Sequence, residues 1–212
     1  MDTPISKLLS IASPAIGAPW EHKDVLKDCG ELGQELAKLL ETKNGFFAYE
    51  SALLVRPLRN IDNPLGLCEW NAPDLWKTSY AKKIDAFCFA EDVFGVQFCI
   101  SDDTICIFDP ETSVLDHLCD SISDWARIVI DEPNLRTGYP LAHAWQIARG
   151  PLRPGERLLP KTPFVLGGKF EVENLYCSKD IKGMLFRASV ANQIRDLPDG
   201  TQVTLKARGD QT

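Results

Sequence analysis

Three clusters of acidic residues are candidates for metal binding or acid–base catalysis: Glu91-Asp92, Asp102-Asp103, and Asp109 with Glu111. Paired carboxylates can bind a hard metal ion or share general acid–base work. All three groups, however, fall in predicted turns that bound strands, where Asp is favoured because its side chain bonds to nearby backbone groups. Three interpretations stay open: solvated turn residues, an acidic rim that faces a partner, and a metal or catalytic site.

Nucleophilic catalysis would need a cysteine or serine beside a base. The chain has seven cysteines and three histidines, His22, His117 and His143, but no GxSxG signature and no glycine-rich phosphate loop. No two cysteines form CxxC, and several lie in apolar runs such as FCF and ICIF, as reduced structural thiols do. The sequence therefore predicts no enzyme, no cofactor and no metal site.

Composition and charge restrict the class of partner. The 212 residues carry a net charge of −7, and 44% of them are hydrophobic, an ordinary value for a globular protein. An acidic surface repels phosphate backbones, so nucleic acid is disfavoured and a basic partner would fit better. No apolar run approaches the ~20 residues that span a bilayer, and the N-terminus lacks a basic leader region. We therefore expect a cytoplasmic protein without membrane contact.

Short apolar segments predict the helices and strands around these carboxylates. Leucines at helical spacing predict a helix over residues 31–40, and aromatic or β-branched runs predict strands at 84–90, 94–100 and 104–109. A further helix is predicted over 121–130, with Trp125 on its apolar face.

The second and third of these strands form a predicted hairpin. If Asp102 and Asp103 are its two loop residues, Cys99 faces Cys106, and Phe98 and Ile105 lie on the opposite face, in the core. A loop tip of this kind leaves both aspartates exposed.

The flanks of the chain are less regular. Residues 1–19, with three prolines, predict a peripheral arm. The proline-rich stretch 151–163 could be a linker, but strand pattern over 163–177, a helix over 184–197 and a last strand over 201–207 favour an extension of the same sheet. We therefore predict one α+β domain over residues 1–212, with its core at 30–130 and its extension at 131–212.

The order of several short motifs resembles the SUKH superfamily, which includes the yeast regulator of cell-wall glucan synthesis and many bacterial immunity proteins. The motifs are NGFF at 44–47, ESAL at 50–53, FAEDVFG at 89–95, FDPET at 108–112 and the helical Trp125. They cover roughly residues 30–130. The tail over 139–207 departs from the short members of that family.

The resemblance implies a mainly antiparallel sheet with helices packed against it and a scaffold that binds protein, with no catalytic residues. It implies an immunity protein that neutralises a cognate toxin, many such toxins being nucleases; a housekeeping scaffold or regulator of cell-wall processes is the alternative. Combined with the net charge and the turn positions, it predicts a protein-binding surface formed by Glu91, Asp92, Asp102, Asp103 and Glu111.

Overall fold

The computed structural model describes residues 3–19, 24–60, 62–198 and 200–203. Its helices are α1 (Pro4–Ser10), α2 (Gly30–Thr42), α3 (Leu67–Trp70), α4 (Ile122–Asp131), α5 (Pro133–Thr137), α6 (Tyr139–Arg149) and α7 (Asp180–Ile194). Its strands are β1 (Phe46–Ala48), β2 (Leu53–Val55), β3 (Phe87–Asp92), β4 (Gln97–Ser101), β5 (Thr104–Asp109), β6 (Val114–Cys119), β7 (Glu156–Pro160) and β8 (Leu175–Lys179). Short 3₁₀ turns span Asp24–Cys29, Lys77–Ser79, Phe164–Leu166 and Val172–Asn174.

Strands β1 to β6 form one antiparallel sheet in which each strand pairs with the next along the chain. Short loops between sequence neighbours permit this order, because antiparallel strands need no long crossover. Strands β7 and β8 pair only with each other, in a second antiparallel sheet. The predicted α+β class is therefore confirmed.

The predicted hairpin has the expected register. Cys99 is paired with Cys106 and Ile100 with Ile105, so β4 and β5 are joined by a two-residue loop. Asp102 and Asp103 have φ angles of 48° and 57°. Positive φ at both central residues is the backbone form that matches the twist of the flanking strands.

Both faces of the main sheet are covered. Helices α1, α2 and α4 pack on the face that carries Phe98 and Ile105. The opposite face, with Cys88 and Cys99, is covered by α3, the segment around Trp76, and α7. Sequence reasoning assigned only the first face fully to the core. Burial on both faces explains why these strands read as nearly continuous apolar runs.

The N-terminal segment differs from the predicted arm. Thr3 caps α1, its Oγ1 accepting a hydrogen bond from the Ser6 N–H at 3.1 Å. Leu8 is fully buried in the core beneath α4. The prediction of a peripheral arm over residues 1–19 is therefore wrong for α1, whose apolar face completes one layer of the protein.

The C-terminal part also differs from the prediction. The proline-rich stretch contains β7, and the segment predicted as strand over 163–177 forms two 3₁₀ turns before β8 begins. This part builds its own two-stranded sheet instead of extending the main one, and the Leu158 N–H of β7 donates to the carbonyl of Val93, just past β3, at 2.9 Å. Residues 201–203 are not in a strand, and the rest of the predicted last strand, 204–207, lies outside the described residues.

Trp125 tests the packing of α4 on the sheet. Its ring contacts Phe89 and Phe98 edge to face, with centroids 5.1 and 5.7 Å apart, and it is fully buried. We expect Trp125→Ala to lower the free energy of unfolding by about 3–5 kcal/mol, because it removes these contacts and leaves a cavity. Chemical denaturation measures the change. Trp125→Phe, which keeps an aromatic ring there, should lower the free energy of unfolding clearly less. Equal losses in the two variants would show that packing of the ring does not cause the loss.

Candidate functional site

The five residues predicted to bind protein do not form one surface. Asp102 and Asp103 are exposed at the hairpin tip, as predicted. Glu91, Asp92 and Glu111 are buried, so their assignment to an exposed rim is wrong. The strand predicted at 84–90 ends one residue before Glu91, whereas β3 continues through Glu91 and Asp92 and carries both side chains into the interior.

Glu91 lies between two buried arginines. Its Oε2 is 2.9 Å from Nη2 of Arg56, which follows β2, and its Oε1 accepts a hydrogen bond of 2.7 Å from Nε of Arg157 in β7. Burial opposes ionisation of Glu91, but the two guanidinium charges outweigh it and hold the pKa of this carboxyl below its usual range. Glu91 is therefore an ionised bridge between the main sheet and the C-terminal part.

Polar and aromatic groups complete this bridge. Gln97 donates from Nε2 to Glu91 Oε2 at 2.9 Å and accepts from Nε1 of Trp70 at 2.8 Å. The Arg56 guanidinium lies over the Trp70 ring, 3.5 Å from its centroid, and donates to the Leu65 carbonyl at 2.9 Å. Stacking on an aromatic face suits the planar, weakly hydrated guanidinium and helps to offset its desolvation.

Asp180, the first residue of α7, joins the same network. Its Oδ2 lies 3.5 Å from Nη2 of Arg56, and its Oδ1 accepts from the Ile181 N–H at 2.8 Å. Burial raises the pKa of Asp180 despite the nearby Arg56 charge. The beginning of α7 is thus tied to the segment that follows β2.

A second buried cluster surrounds Arg187 of α7. Its Nη2 donates to the Leu158 carbonyl at 3.2 Å, and its Nε lies 3.9 Å from Glu111 Oε1. Glu111 Oε2 accepts from the Val165 N–H at 2.9 Å, and burial raises the pKa of this carboxyl. Asp92 Oδ1 accepts from the N–H groups of Phe94 and Val96, both at 2.8 Å. Turn closure and charge pairing therefore account for most of the polar contacts of these two carboxylates.

Three arginines among the described residues are buried, which the sequence analysis does not predict although a signal is present. Arg56, Arg157 and Arg187 each stand within an apolar run, in LLVRP, RLLP and LFRAS. Arginine is almost never fully buried unless it is paired. Such runs could have indicated that some of the acidic residues must be buried partners.

The exposed aspartates belong to a shallow groove of about 920 Å³ beside the hairpin, which we call the tip groove. Its rim carries four exposed carboxylates, those of Asp28, Asp85, Asp102 and Asp103. Lys77 and Lys83 also line it; Lys83 Nζ is 2.7 Å from Asp85 Oδ2. With four carboxylates against two lysines, the rim has a formal charge of −2.

A second groove, of about 640 Å³, lies between α5, the turn after β5 and the loop before β8; we call it the aromatic groove. Its apolar walls and rim are formed by Phe94, Leu135, Pro140, Leu141, Phe164, Val165 and Phe170. Its polar wall is formed by Asp92, Asp109, Glu111 and Arg187. Gly138, with φ of +69°, packs so closely on Phe94 that a Cβ there would lie 2.4 Å from the ring, so glycine keeps this wall in place.

The histidines have structural partners at the surface. His143 Nδ1 is 2.7 Å from Glu50 Oε2, and His117 Nε2 is 2.8 Å from Asp120 Oδ1; His22 lies outside the described residues. Glu50 is the middle of three consecutive non-glycine residues with positive φ, 49–51, a conformation that costs about 1–2 kcal/mol per residue. The contact with His143, on α6, holds this strained β1–β2 turn against the helix.

The cysteines are free thiols. Cys88 and Cys99 face each other across β3 and β4 with their sulfur atoms 3.1 Å apart, both fully buried. Across residues 3–19, 24–60, 62–198 and 200–203, no group of three or more His, Cys, Asp or Glu side chains could hold a metal ion.

The raised pKa of Asp92 predicts that the stability of the protein depends on pH. Burial raises its pKa to about 7, against two N–H bonds and the Arg187 charge. An unfolded Asp has a pKa of about 3.9, so Asp92 contributes stability that is present below that pH and lost as pH rises through about 7. Asp92→Asn keeps the accepting oxygen and removes the titration. Its free energy of unfolding relative to wild type should therefore rise between about pH 5 and pH 8.

Urea titrations of both proteins across this pH range measure the difference. Asp116→Asn, at an exposed carboxylate on β6, is the control for the chemical change itself. A difference for Asp92→Asn that changes no more with pH than that of Asp116→Asn would show that Asp92 keeps an ordinary pKa in the folded protein.

Comparisons with known proteins identify a similar fold and no family. No family model and no curated protein matches the chain. The chain is similar to a solved structure, the crystal structure of Atu4351 from Agrobacterium tumefaciens, with 12% identity, a TM-score of 0.56, and coverage of 85% of this chain and 86% of that one. Among the described residues, no helix is long and apolar enough to cross a membrane. The likeness to Atu4351 shows a shared fold, and the resemblance to the SUKH superfamily stays a hypothesis.

Proposed function

We propose that this chain is a non-catalytic protein-binding protein of the immunity type, which neutralises a toxin by binding it. The observation that carries the proposal is the tip groove, where Asp28, Asp85, Asp102 and Asp103 expose four carboxylates on one rim. The SUKH resemblance and the net charge of −7 support the same function. A basic protein, such as a nuclease, is the partner that this surface fits best.

The hairpin tip is well suited to recognition because its backbone is fixed. Ser101 and Thr104 are paired directly below the loop, and Thr104 Oγ1 donates to the Ser101 carbonyl at 3.0 Å. Loops on a rigid scaffold commonly carry recognition residues. The carboxylates of Asp102 and Asp103 would therefore meet a partner without a large loss of conformational freedom.

Electrostatic steering gives this surface a measurable signature. Like charges on one rim raise the local concentration of an oppositely charged partner and speed its association, and salt screens this effect. Reversal of charge at the tip should therefore act mainly on the association rate, and most strongly at low ionic strength.

The test uses the double variant Asp102→Lys/Asp103→Lys. The tagged wild-type chain captures its partner from the native host, mass spectrometry identifies that partner, and surface plasmon resonance measures association. We expect the variant to associate more slowly by on the order of ten-fold or more at low salt, with a smaller difference at high salt. Circular dichroism and thermal unfolding should match wild type, because both positions lie at an exposed loop tip.

The matched control is Asp116→Lys/Asp196→Lys, which changes the net charge by the same amount at exposed positions outside the tip groove. It should slow association much less than the tip variant. Equal rates for wild type and the tip variant at low salt would remove the tip groove from the binding surface.

The toxin-neutralising part of the proposal has its own test. The captured partner should stop growth when it is produced alone, and co-production of this chain should restore growth. A harmless partner from cell-wall synthesis would instead favour the scaffold or regulator function.

A further inference from the structure

We propose that the aromatic groove is a second binding site, for a small organic cation that joins an apolar body to an ammonium group. The proposal goes beyond the tip groove and does not depend on it. It rests on the apolar rim of the groove, on the charge of its polar wall, and on a buried carboxylate oxygen that lacks a hydrogen bond.

The rim exposes apolar surface that a monomer normally covers. Phe170 is 63% exposed and Leu135 is 71% exposed, and both border the groove together with the exposed Val165. Clustered apolar exposure of this kind marks a binding site, whereas single exposed residues need no explanation. Three of the large exposed hydrophobic residues thus meet at one concave site.

The aromatic rings supply a wall that suits an apolar cation. Phe164 and Phe170 are stacked, with centroids 3.9 Å apart, and both meet Phe94 edge to face at 5.3 and 6.0 Å. Their positions therefore support one another before any ligand arrives. The negative face of an aromatic ring attracts a cation, and its hydrocarbon surface buries an apolar body.

The polar wall has an excess of carboxylates. Asp92, Asp109 and Glu111 face a single guanidinium, that of Arg187, so the wall approaches a charge of −2 only above about pH 7, where Asp92 is ionised. Arg187 already donates to the Leu158 carbonyl and lies beside Glu111, so its charge is engaged within the protein. A ligand carboxylate would be repelled by this wall, whereas an ammonium group would be attracted.

Glu111 indicates where the ammonium group would bind. The residue is only 5% exposed, and while its Oε2 accepts from the Val165 N–H, its Oε1 has no hydrogen-bond partner. A buried acceptor without a donor is destabilising and gains from any donor that reaches it. Val165 belongs to the loop that also carries Phe164 and Phe170, so the Glu111 carboxylate lies beside the aromatic wall of the same groove.

The size of the aromatic groove suits a small molecule. Its volume of about 640 Å³ lies within the range of small-molecule sites, roughly 300–1,000 Å³. Its walls converge from α5, the turn after β5, α7 and the loop before β8. Such a concave site encloses one compact ligand from several sides.

Three probes of equal length test the chemistry: 4-phenylbutylamine, 4-phenylbutanol and 4-phenylbutyrate. Two-dimensional NMR titration of the full chain gives each affinity, and the Val165 amide reports on Glu111 because it donates to that carboxylate. We expect the amine to bind about ten-fold tighter than the alcohol or the acid, the effect of one charge-assisted contact of roughly 1.4 kcal/mol. Equal affinities, tighter binding of the acid, or no binding of the amine would overturn the proposal.

Two variants test whether the amine binds in the aromatic groove. Phe170→Ser and Glu111→Gln should each weaken amine binding by about ten-fold, and the first, at an exposed position, should leave the fold intact. Ile147→Ser is the matched control, because Ile147 is exposed on α6 but does not line the groove. Unchanged affinity in Phe170→Ser would overturn the site, whatever the stability of Glu111→Gln.

A peptide probe tests whether the aromatic groove binds a small molecule or a segment of a protein. The tripeptide amide acetyl-Leu-Lys-Phe carries the same apolar and cationic groups on a protein backbone. Weaker binding than that of 4-phenylbutylamine supports a small-molecule site. Binding as tight as that of the amine, or tighter, would assign the groove to a protein segment and overturn the proposal.

Discussion

The Glu91 carboxylate lies between two guanidinium groups that come from distant parts of the chain. Arg56 follows β2 in the main sheet, and Arg157 belongs to β7 in the C-terminal sheet. Removing three charges from water is costly, and removing one partner of such a set leaves an uncompensated buried charge. The charges are therefore tolerable only when the two parts of the protein are docked in one arrangement.

Much of the remaining structure follows from this docking. Asp180 brings the beginning of α7 to Arg56, and Arg187, further along α7, lies beside Glu111 after β5. Helix α7 can then complete, with α3 and the segment around Trp76, the cover of the sheet face that carries Cys88 and Cys99. The same docking places the loop with Phe164 and Phe170 next to Glu111, so the aromatic groove exists only in the assembled protein.

Sequence reasoning succeeded where local patterns decide the structure. The register of the β4–β5 hairpin follows from its two-residue turn and from alternation along two strands, both visible in the sequence. The burial of Trp125 likewise follows from one helix face. The exposed half of the candidate site, Asp102 and Asp103, could be predicted for the same reason.

Prediction from the sequence failed where the residue that buries a side chain lies far away in the sequence. Nothing near Glu91 shows that Arg157, 66 residues later, would bury it, so the carboxylate reads as a turn residue. The strand β7 was missed because prolines around it suggest a linker, and there tertiary contacts override the local signal, as they do at Glu91. The helix that carries Leu8 was missed because the three prolines of residues 1–19 suggest an arm, although Ile5, Leu8 and Leu9 fall at helical spacing.

Native-state hydrogen exchange of the Glu91→Gln variant tests whether Glu91 docks the C-terminal part on the main sheet. We expect the Leu158 amide, which bonds to the Val93 carbonyl, to lose about 3–5 kcal/mol of protection, the usual cost of breaking a buried charge set. The Cys99 and Ile105 amides in the main sheet should lose less, because the C-terminal part would open first. Unchanged protection at Leu158, or an equal loss at all three amides, would contradict the view that Glu91 docks the two parts.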